Sequence, residues 1–128
     1  MKETVLLINF TDKKQLNGIK SILMLEKILI REVKKEEYAQ QIGALAGIKE
    51  LYREDAVYEG EDLEKEMMIF AGLSDAKLDK VLELMRRKKV KKVDYKAIMT
   101  PTNLTWKVAD LYGELAKEHE AMAAQMQK

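Results

Sequence analysis

The sequence has no cysteine, and among its 128 residues it has a single histidine, proline and tryptophan. The absence of cysteine excludes disulfides, thiolate nucleophiles and zinc–thiolate sites, and it is typical of proteins from a reducing cytosol. No apolar run approaches the ~18 residues that a membrane-spanning helix needs, and the first residues do not resemble a cleavable signal peptide. We therefore expect a cytoplasmic protein without a membrane partner.

A strong charge of one sign is also absent, because the net charge is +1 although 35% of the residues are charged. This balance argues against a surface dominated by polyanion binding. The one basic cluster, Arg86–Lys89, lies at the end of a predicted helix, where cations complement the helix dipole. It lacks the interleaved aromatic residues that nucleic-acid-binding segments carry. Nucleic acid is therefore not an expected partner.

Catalytic and cofactor motifs are missing as well. There is no nucleophile elbow, phosphate loop or dinucleotide fingerprint. His119 has no neighbours in the sequence that would complete a metal site or a catalytic triad. The acidic segment 59–66 does not have the spacing of a calcium-binding loop. We predict no cofactor, no metal site and no catalytic residue, so the sequence does not favour an enzyme.

The length predicts one domain spanning residues 1–128. Short apolar or β-branched runs predict strands at residues 4–10, 28–33, 67–72 and 93–100. Asp12 and Ser74 are suited to cap the two amphipathic helices that follow strands one and three. A short helix is predicted from residue 36 to Gly47, with a surface loop from 50 to 65. Asn103 is predicted to cap the last helix, which runs to residue 125.

The two halves of the chain follow the same plan. Residues 4–33 and 66–100 each predict a strand, an amphipathic helix and a more polar strand, with the helix and loop of residues 34–65 between them. Each unit is expected to be parallel with a right-handed crossover. The apolar first and third strands belong at the centre of one four-stranded sheet, because they lack a polar face.

Two α/β folds fit these two βαβ units. If the helix around Tyr38 is a crossover, all four strands are parallel in the flavodoxin-like order 2-1-3-4, with helices on both faces. If residues 34–65 are only a decorated hairpin connection, the fold is a ferredoxin-like α/β plait with extra helices. The two-sided apolar character of the central strands favours the first fold.

The stretch Lys96-Ala-Ile-Met-Thr-Pro-Thr-Asn103, preceded by the apolar run 67–72, resembles a family of small bacterial proteins defined only as a domain of unknown function. The likeness is best over residues 66–120, and the segment 41–47 extends it. The resemblance implies an intracellular bacterial protein. It brings no activity, cofactor or catalytic residue to this chain.

A candidate ligand crevice follows from the parallel arrangement, because ligands bind at the carboxyl ends of parallel strands and anions bind at helix amino termini. Its predicted members are Asn9, Thr11, Gly72, Ser74, Lys96, Thr100, Thr102, Asn103 and Trp106. Capping, turn formation and core packing account for the same residue types without a ligand.

These patterns lead to two hypotheses about function. The leading one is a non-enzymatic protein-interaction or regulatory module that forms a homodimer through its C-terminal helix, because Met122 lies there among alanines and methionine suits adaptable contacts. The alternative is a protein that binds a small anion or carboxylate in the predicted crevice.

Overall fold

The computed structural model describes residues 1–51 and 55–126. The chain forms β1 (Thr4–Ile8), α1 (Lys13–Leu25), β2 (Leu29–Val33), a 3₁₀ helix (Lys35–Ala39), α2 (Ile42–Leu45), β3 (Met67–Ala71), α3 (Asp75–Arg87), β4 (Tyr95–Ile98) and α4 (Val108–Met126). Part of the predicted surface loop, residues 52–54, lies outside the described residues. The described remainder, 50–51 and 55–65, contains no helix or strand.

The four strands form one mixed sheet in the order β2-β1-β3-β4. Every residue of β1 and β3 is buried, which explains why neither strand shows a polar face. The predicted α/β class, strand order and central placement of the two apolar strands are confirmed. The ferredoxin-like alternative is wrong, because that plait places a third strand between the two strands of each βαβ unit.

The direction of one strand pair differs from the all-parallel prediction. β1 pairs with β2 and β3 pairs with β4 in parallel, but β1 and β3 are antiparallel, with Ile8 opposite Met67 and Thr4 opposite Ala71. Residues 34–65 leave β2 and enter β3 at the same end of the sheet, so they do not act as a crossover. The carboxyl ends of β1 and β3 therefore lie at opposite ends of the sheet.

The antiparallel junction relates the two βαβ units by an approximate two-fold axis, which passes between the paired residues Leu6 and Ile69. Helices α1 and α3 each contain 13 residues. Asn9 after β1 and Gly72 after β3 both have positive φ, at 60° and 78°. Two lysines, Lys27 after α1 and Lys89 after α3, also have positive φ, at 58° and 54°. The predicted repeat of strand, helix and strand is confirmed.

Helices cover both faces of the sheet. α1 and α3 pack on one face, against a cluster that includes Val5 and Met68. The 3₁₀ helix, α2 and α4 pack on the other face, against a cluster that includes Leu6 and Ile69. Within residues 1–51 and 55–126, no helix combines the length and the apolar composition needed to cross a membrane.

Two of the three predicted helix caps are confirmed. The Asp12 carboxylate accepts a hydrogen bond from the backbone N–H of Gln15 at 3.0 Å, and the Ser74 hydroxyl accepts one from Lys77 at 3.1 Å. Asn103 does not cap α4, because that helix begins only at Val108.

The helix predicted from residue 36 to Gly47 also differs from the structure. It is divided into the five-residue 3₁₀ helix and the four-residue α2. Gly47 has a φ of 98°, so its predicted left-handed conformation after the helix is confirmed.

Candidate functional site

The residues predicted to line one ligand crevice are divided between two ends of the sheet. Asn9 and Thr11 follow β1, whereas Gly72 and Ser74 follow β3, and the two strands are antiparallel. The prediction of a single crevice is therefore wrong, since it assumed that all strands point the same way. Whether any of these residues binds a ligand remains a prediction.

Asn9 has a structural role at its end of the sheet. Its side-chain amide donates to the carbonyl oxygens of Leu63 at 2.7 Å and Lys65 at 3.2 Å. These bonds fasten the segment that enters β3 to the end of β1. The neighbouring Thr11 is exposed. The amide of Asn9 is thus engaged by the chain itself.

The polar turn at residues 100–103 is closed by its own hydrogen bonds. The side-chain oxygen of Asn103 accepts from the Thr100 N–H at 2.8 Å, and the Thr100 hydroxyl accepts from the Asn103 N–H at 3.2 Å. The Asn103 amide also donates to the Ile98 carbonyl at 3.1 Å. Thr102 is an exposed turn residue. Because α4 begins five residues after Asn103, this turn does not present the helix amino terminus that the anion hypothesis needs.

Trp106 is held near the start of α4. Its carbonyl accepts from the Ile42 N–H at 2.9 Å, and Val108 N–H donates to Gln40 at 3.1 Å. The indole lines an open cleft of about 410 Å³ along α4, together with Ala109, Asp110, Gly113, Glu114 and Lys117. This cleft has charges of both signs and does not include the other residues of the predicted crevice.

Sequence reasoning missed a polar junction between the two βαβ units. The side-chain amide of the buried residue Gln15 donates to the Lys91 carbonyl at 3.0 Å and the Lys92 carbonyl at 3.3 Å, and lies 3.4 Å from a carboxylate oxygen of Glu66. The same carboxylate oxygen accepts from the Asp94 N–H at 3.0 Å. Burial alone would raise the pKa of Glu66, but these hydrogen bonds and the charge of Lys91 lower it.

A related junction lies at the opposite end of the sheet. Lys77, at the position of α3 that corresponds to Gln15, donates to the Glu26 carbonyl at 3.1 Å and lies 3.7 Å from the Glu3 carboxylate. Glu3 and Glu66 each directly precede a central strand. Both junctions are therefore explained by the need to hold the loops of each unit against the other.

One difference between the two units lies at the edges of the sheet, on the face covered by α1 and α3. Beside β4 there is a cleft of about 270 Å³ whose lining is apolar except for Lys96. The lining residues are Phe70, Leu78, Leu82, Lys96, Ala97 and Ile98. Ile98, at the end of the edge strand, is 53% exposed.

A second cleft, of about 340 Å³, continues the first toward the start of β4. It shares Leu82 and Lys96 with the apolar cleft and is bordered by the cations Arg86 and Lys92. Its remaining lining residues are Met85, Val90 and Val93. We call the two clefts together the β4–α3 groove. Its lining residues carry three positive charges and no negative charge.

The backbone of β4 borders this groove with a free edge. Tyr95 N–H donates to Glu66 at 3.3 Å and Met99 N–H donates to Phe70 at 2.8 Å, so the backbone groups of these alternate residues face β3. In a parallel ladder the backbone groups of the intervening residues face the other side. Lys96 and Ile98 therefore direct their N–H groups away from the sheet.

At the corresponding position beside β2, an ion pair replaces the apolar side chains. The two-fold axis relates Leu82 to Lys20 on α1, and the strand registers relate Ile98 to Glu32 on β2. Lys20 and Glu32 form an ion pair at 2.7 Å. Charged side chains on an edge strand disfavour pairing with a further strand. The two apolar residues beside β4 do not have this effect, so the β4 edge can accept a partner strand. Leu29, the exposed apolar residue of β2, belongs to the opposite face of the sheet.

The other candidates from the sequence stay outside this groove. Lys88 and Lys89, from the basic cluster, line a separate cleft against the start of α1. His119 is exposed and its ring contacts the ring of Tyr95, with centroids 4.6 Å apart. No group of three or more acidic or histidine side chains suited to a metal ion occurs in the described part of the chain.

The fold defines a three-layered α/β domain, with helices on both faces of a mixed sheet and an open, apolar sheet edge in its second half. Residues 66–122 match a family model described as a domain of unknown function (DUF3783). The match starts just before β3 and ends within α4, so the resemblance predicted over residues 66–120 is confirmed. The comparisons with curated proteins and with solved structures found no match to this chain.

Proposed function

We propose that this domain is a non-enzymatic protein-interaction module that binds its partner at the β4–α3 groove. The observation that carries the proposal is the exposed Ile98 beside Leu78 and Leu82, at the place where the related edge has the Lys20–Glu32 ion pair. An apolar surface next to an unpaired strand edge is a common site of protein association. Every residue that lines the groove lies within the segment that matches the family model.

The groove suits a protein partner better than a small ligand. Small-molecule sites enclose their ligand and orient it with a few convergent polar groups. The apolar cleft is open and has Lys96 as its one charged lining residue. The alternative function, binding of an anion or carboxylate, lost its main support when the crevice residues proved to lie at two ends of the sheet.

Self-association through α4 is a second candidate, favoured by the exposure of the last turns of that helix. All residues from 117 to 125 are exposed, and Met122 is 62% exposed. In this proposal two copies of a cytoplasmic bacterial protein pack their α4 ends together. Light scattering should then give the mass of a dimer for the wild type and of a monomer for Met122→Glu. A wild-type monomer at high concentration would remove this candidate.

The main proposal can be tested by selecting phage-displayed eight-residue peptides on the immobilised domain. Ile98→Lys removes the apolar side chain from the groove, and Glu32→Ala, at the related position of β2, is the matched control. Peptides enriched on the wild type should bind Glu32→Ala equally well and Ile98→Lys at least tenfold more weakly. Absence of enriched peptides, or equal binding to Ile98→Lys, would exclude the β4–α3 groove as the interaction surface.

A further inference from the structure

We infer that the occupant of the β4–α3 groove is an extended segment of acidic and apolar residues, which adds to β4 as a fifth strand. This inference rests on the proposed interaction function and names the kind of partner. It follows from three properties of the groove: its backbone edge, the positions of its apolar and basic parts, and the contrast with β2.

The backbone edge favours an extended partner. The N–H groups of Lys96 and Ile98 face away from β3, and an incoming strand binds such groups through its own backbone. The Ile98 carbonyl already accepts a hydrogen bond from Asn103, so Asn103 limits the pairing at the end of β4. From Lys92 to Ile98 an extended partner covers about 20 Å, which corresponds to about seven residues at ~3.3 Å each.

The side chains of the groove indicate the composition of that segment. Toward the end of β4, the partner meets Phe70, Leu78 and Ile98, which favour an apolar side chain. Toward the start of β4 it meets Arg86 and Lys92, which favour a carboxylate. Arg86 lies 3.9 Å from Glu83, but the Arg86 side chain is largely exposed and that of Glu83 about half exposed, and an ion pair of that kind contributes little. Acidic residues in the partner would thus complement the groove.

The contrast with β2 indicates that the apolar side chains of the β4–α3 groove are not a consequence of the fold that the two units share. Both edges combine a 13-residue helix with a parallel edge strand in the same register to its central strand, although the connection 88–94 before β4 is four residues longer than the connection 26–28 before β2. At the related positions β2 has an ion pair where β4 has two apolar side chains. An apolar pair at an exposed edge favours aggregation unless a partner covers it. The fold itself does not require an apolar pair at the sheet edge, since the β2 edge forms without such a pair.

The test uses the peptides enriched by phage display on the full chain. We expect them to be rich in Asp and Glu and to alternate these with apolar residues. Proline at the centre of an enriched peptide should weaken binding at least tenfold, because proline lacks the N–H that a strand donates. In NMR titrations with the same peptide, the backbone amides of Lys96 and Ile98 should show the largest shifts.

Charge reversal provides a matched comparison. The double substitution Arg86→Glu with Lys92→Glu should weaken the peptide at least tenfold. Arg87→Glu should change binding less than twofold, because Arg87 is exposed on the same helix but does not line the groove. Thermal melts of each variant establish that it is folded.

The possible failures are distinguishable. Enriched peptides that are neutral or basic, or that tolerate the central proline, would overturn the acidic, extended partner and leave the interaction function standing. Dimerisation of the domain that Ile98→Lys abolishes would also overturn it, since a second copy would then be the occupant. No enrichment of any peptide would exclude the interaction function itself.

Discussion

Replacing Gln15 by methionine tests how the two βαβ units are joined. Gln15 is buried, and its amide is the donor to the Lys91 and Lys92 carbonyls at 3.0 and 3.3 Å. Methionine has a similar length and cannot donate a hydrogen bond. A typical net contribution is ~1 kcal/mol per hydrogen bond, so two lost bonds should lower the free energy of unfolding by about 2 kcal/mol. The contact of 3.4 Å with Glu66 adds little to this value, because it is long for a hydrogen bond.

Urea denaturation followed by circular dichroism measures this loss. With an m-value of ~2 kcal/mol/M, the midpoint should fall by about 1 M while m stays unchanged. Lys14→Met, at the exposed neighbouring position of α1, is the control and should change the free energy by less than ~0.5 kcal/mol. If Gln15→Met lost no more stability than Lys14→Met, the loop before β4 would not depend on this amide, and our account of the junction would be wrong.

Four further predictions concern single positions. Because the pKa of Glu66 is lowered in the folded state, its carboxylate stabilises the fold above the ordinary carboxyl pKa, and this contribution is lost as pH falls through the lowered value. Glu66→Gln should therefore lower the urea midpoint at pH 7 and have a smaller effect at pH 3; an equal loss at both would contradict the sign. Gly113→Ala should raise the free energy of unfolding by up to ~1 kcal/mol, since an added Cβ meets no atom within 4 Å on that helix. Gly43→Ala should lower the free energy of unfolding by ~1–3 kcal/mol, because its Cβ would lie 2.8 Å from the Leu104 carbonyl oxygen. Thermal melts in which Gly43→Ala was more stable than Gly113→Ala would refute this account of the packing. Ile98→Lys should cost less than ~1 kcal/mol, as the side chain is already half exposed, and a larger loss would assign Ile98 to the core.

Periodicity was sufficient to predict the four strands, their order and helices α1 and α3, but not the division of the helix at residues 36–47, the start of α4 or the relative direction of the two units. A strand buried on both faces has the same apolar sequence whether its neighbour is parallel or antiparallel, so β1 and β3 carried no signal of direction. The direction is set by residues 34–65, whose described parts, 34–51 and 55–65, contain a 3₁₀ helix and a four-residue α-helix and no longer element. Such short elements leave little periodicity in the sequence, and the predicted crossover was therefore wrong.

The site was harder to predict, because the same residue types serve several local roles. Asparagine is a common helix-cap residue, but the Asn103 side chain forms its hydrogen bonds with Thr100 and Ile98. Helix α4 begins later, after the segment where residues 40–43 pair with residues 104–108. Ile98 did have a signal. It occupies the face of β4 that the alternation of Asp94 and Lys96 marks as exposed to water, and an apolar residue there breaks the pattern.

The approximate two-fold axis helps to separate residues that serve the fold from those available for function. Features present in both units, such as the helix caps and the positive-φ residues after α1 and α3, are explained by folding, because each unit needs them independently. A difference between related positions has no such explanation. Leu82 and Ile98 in place of Lys20 and Glu32 exchange an ion pair for an exposed apolar surface, which by itself reduces solubility. A partner that covers this surface accounts for the exchange, and for that reason we place the function of the domain at β4 and not at the loops that both units share.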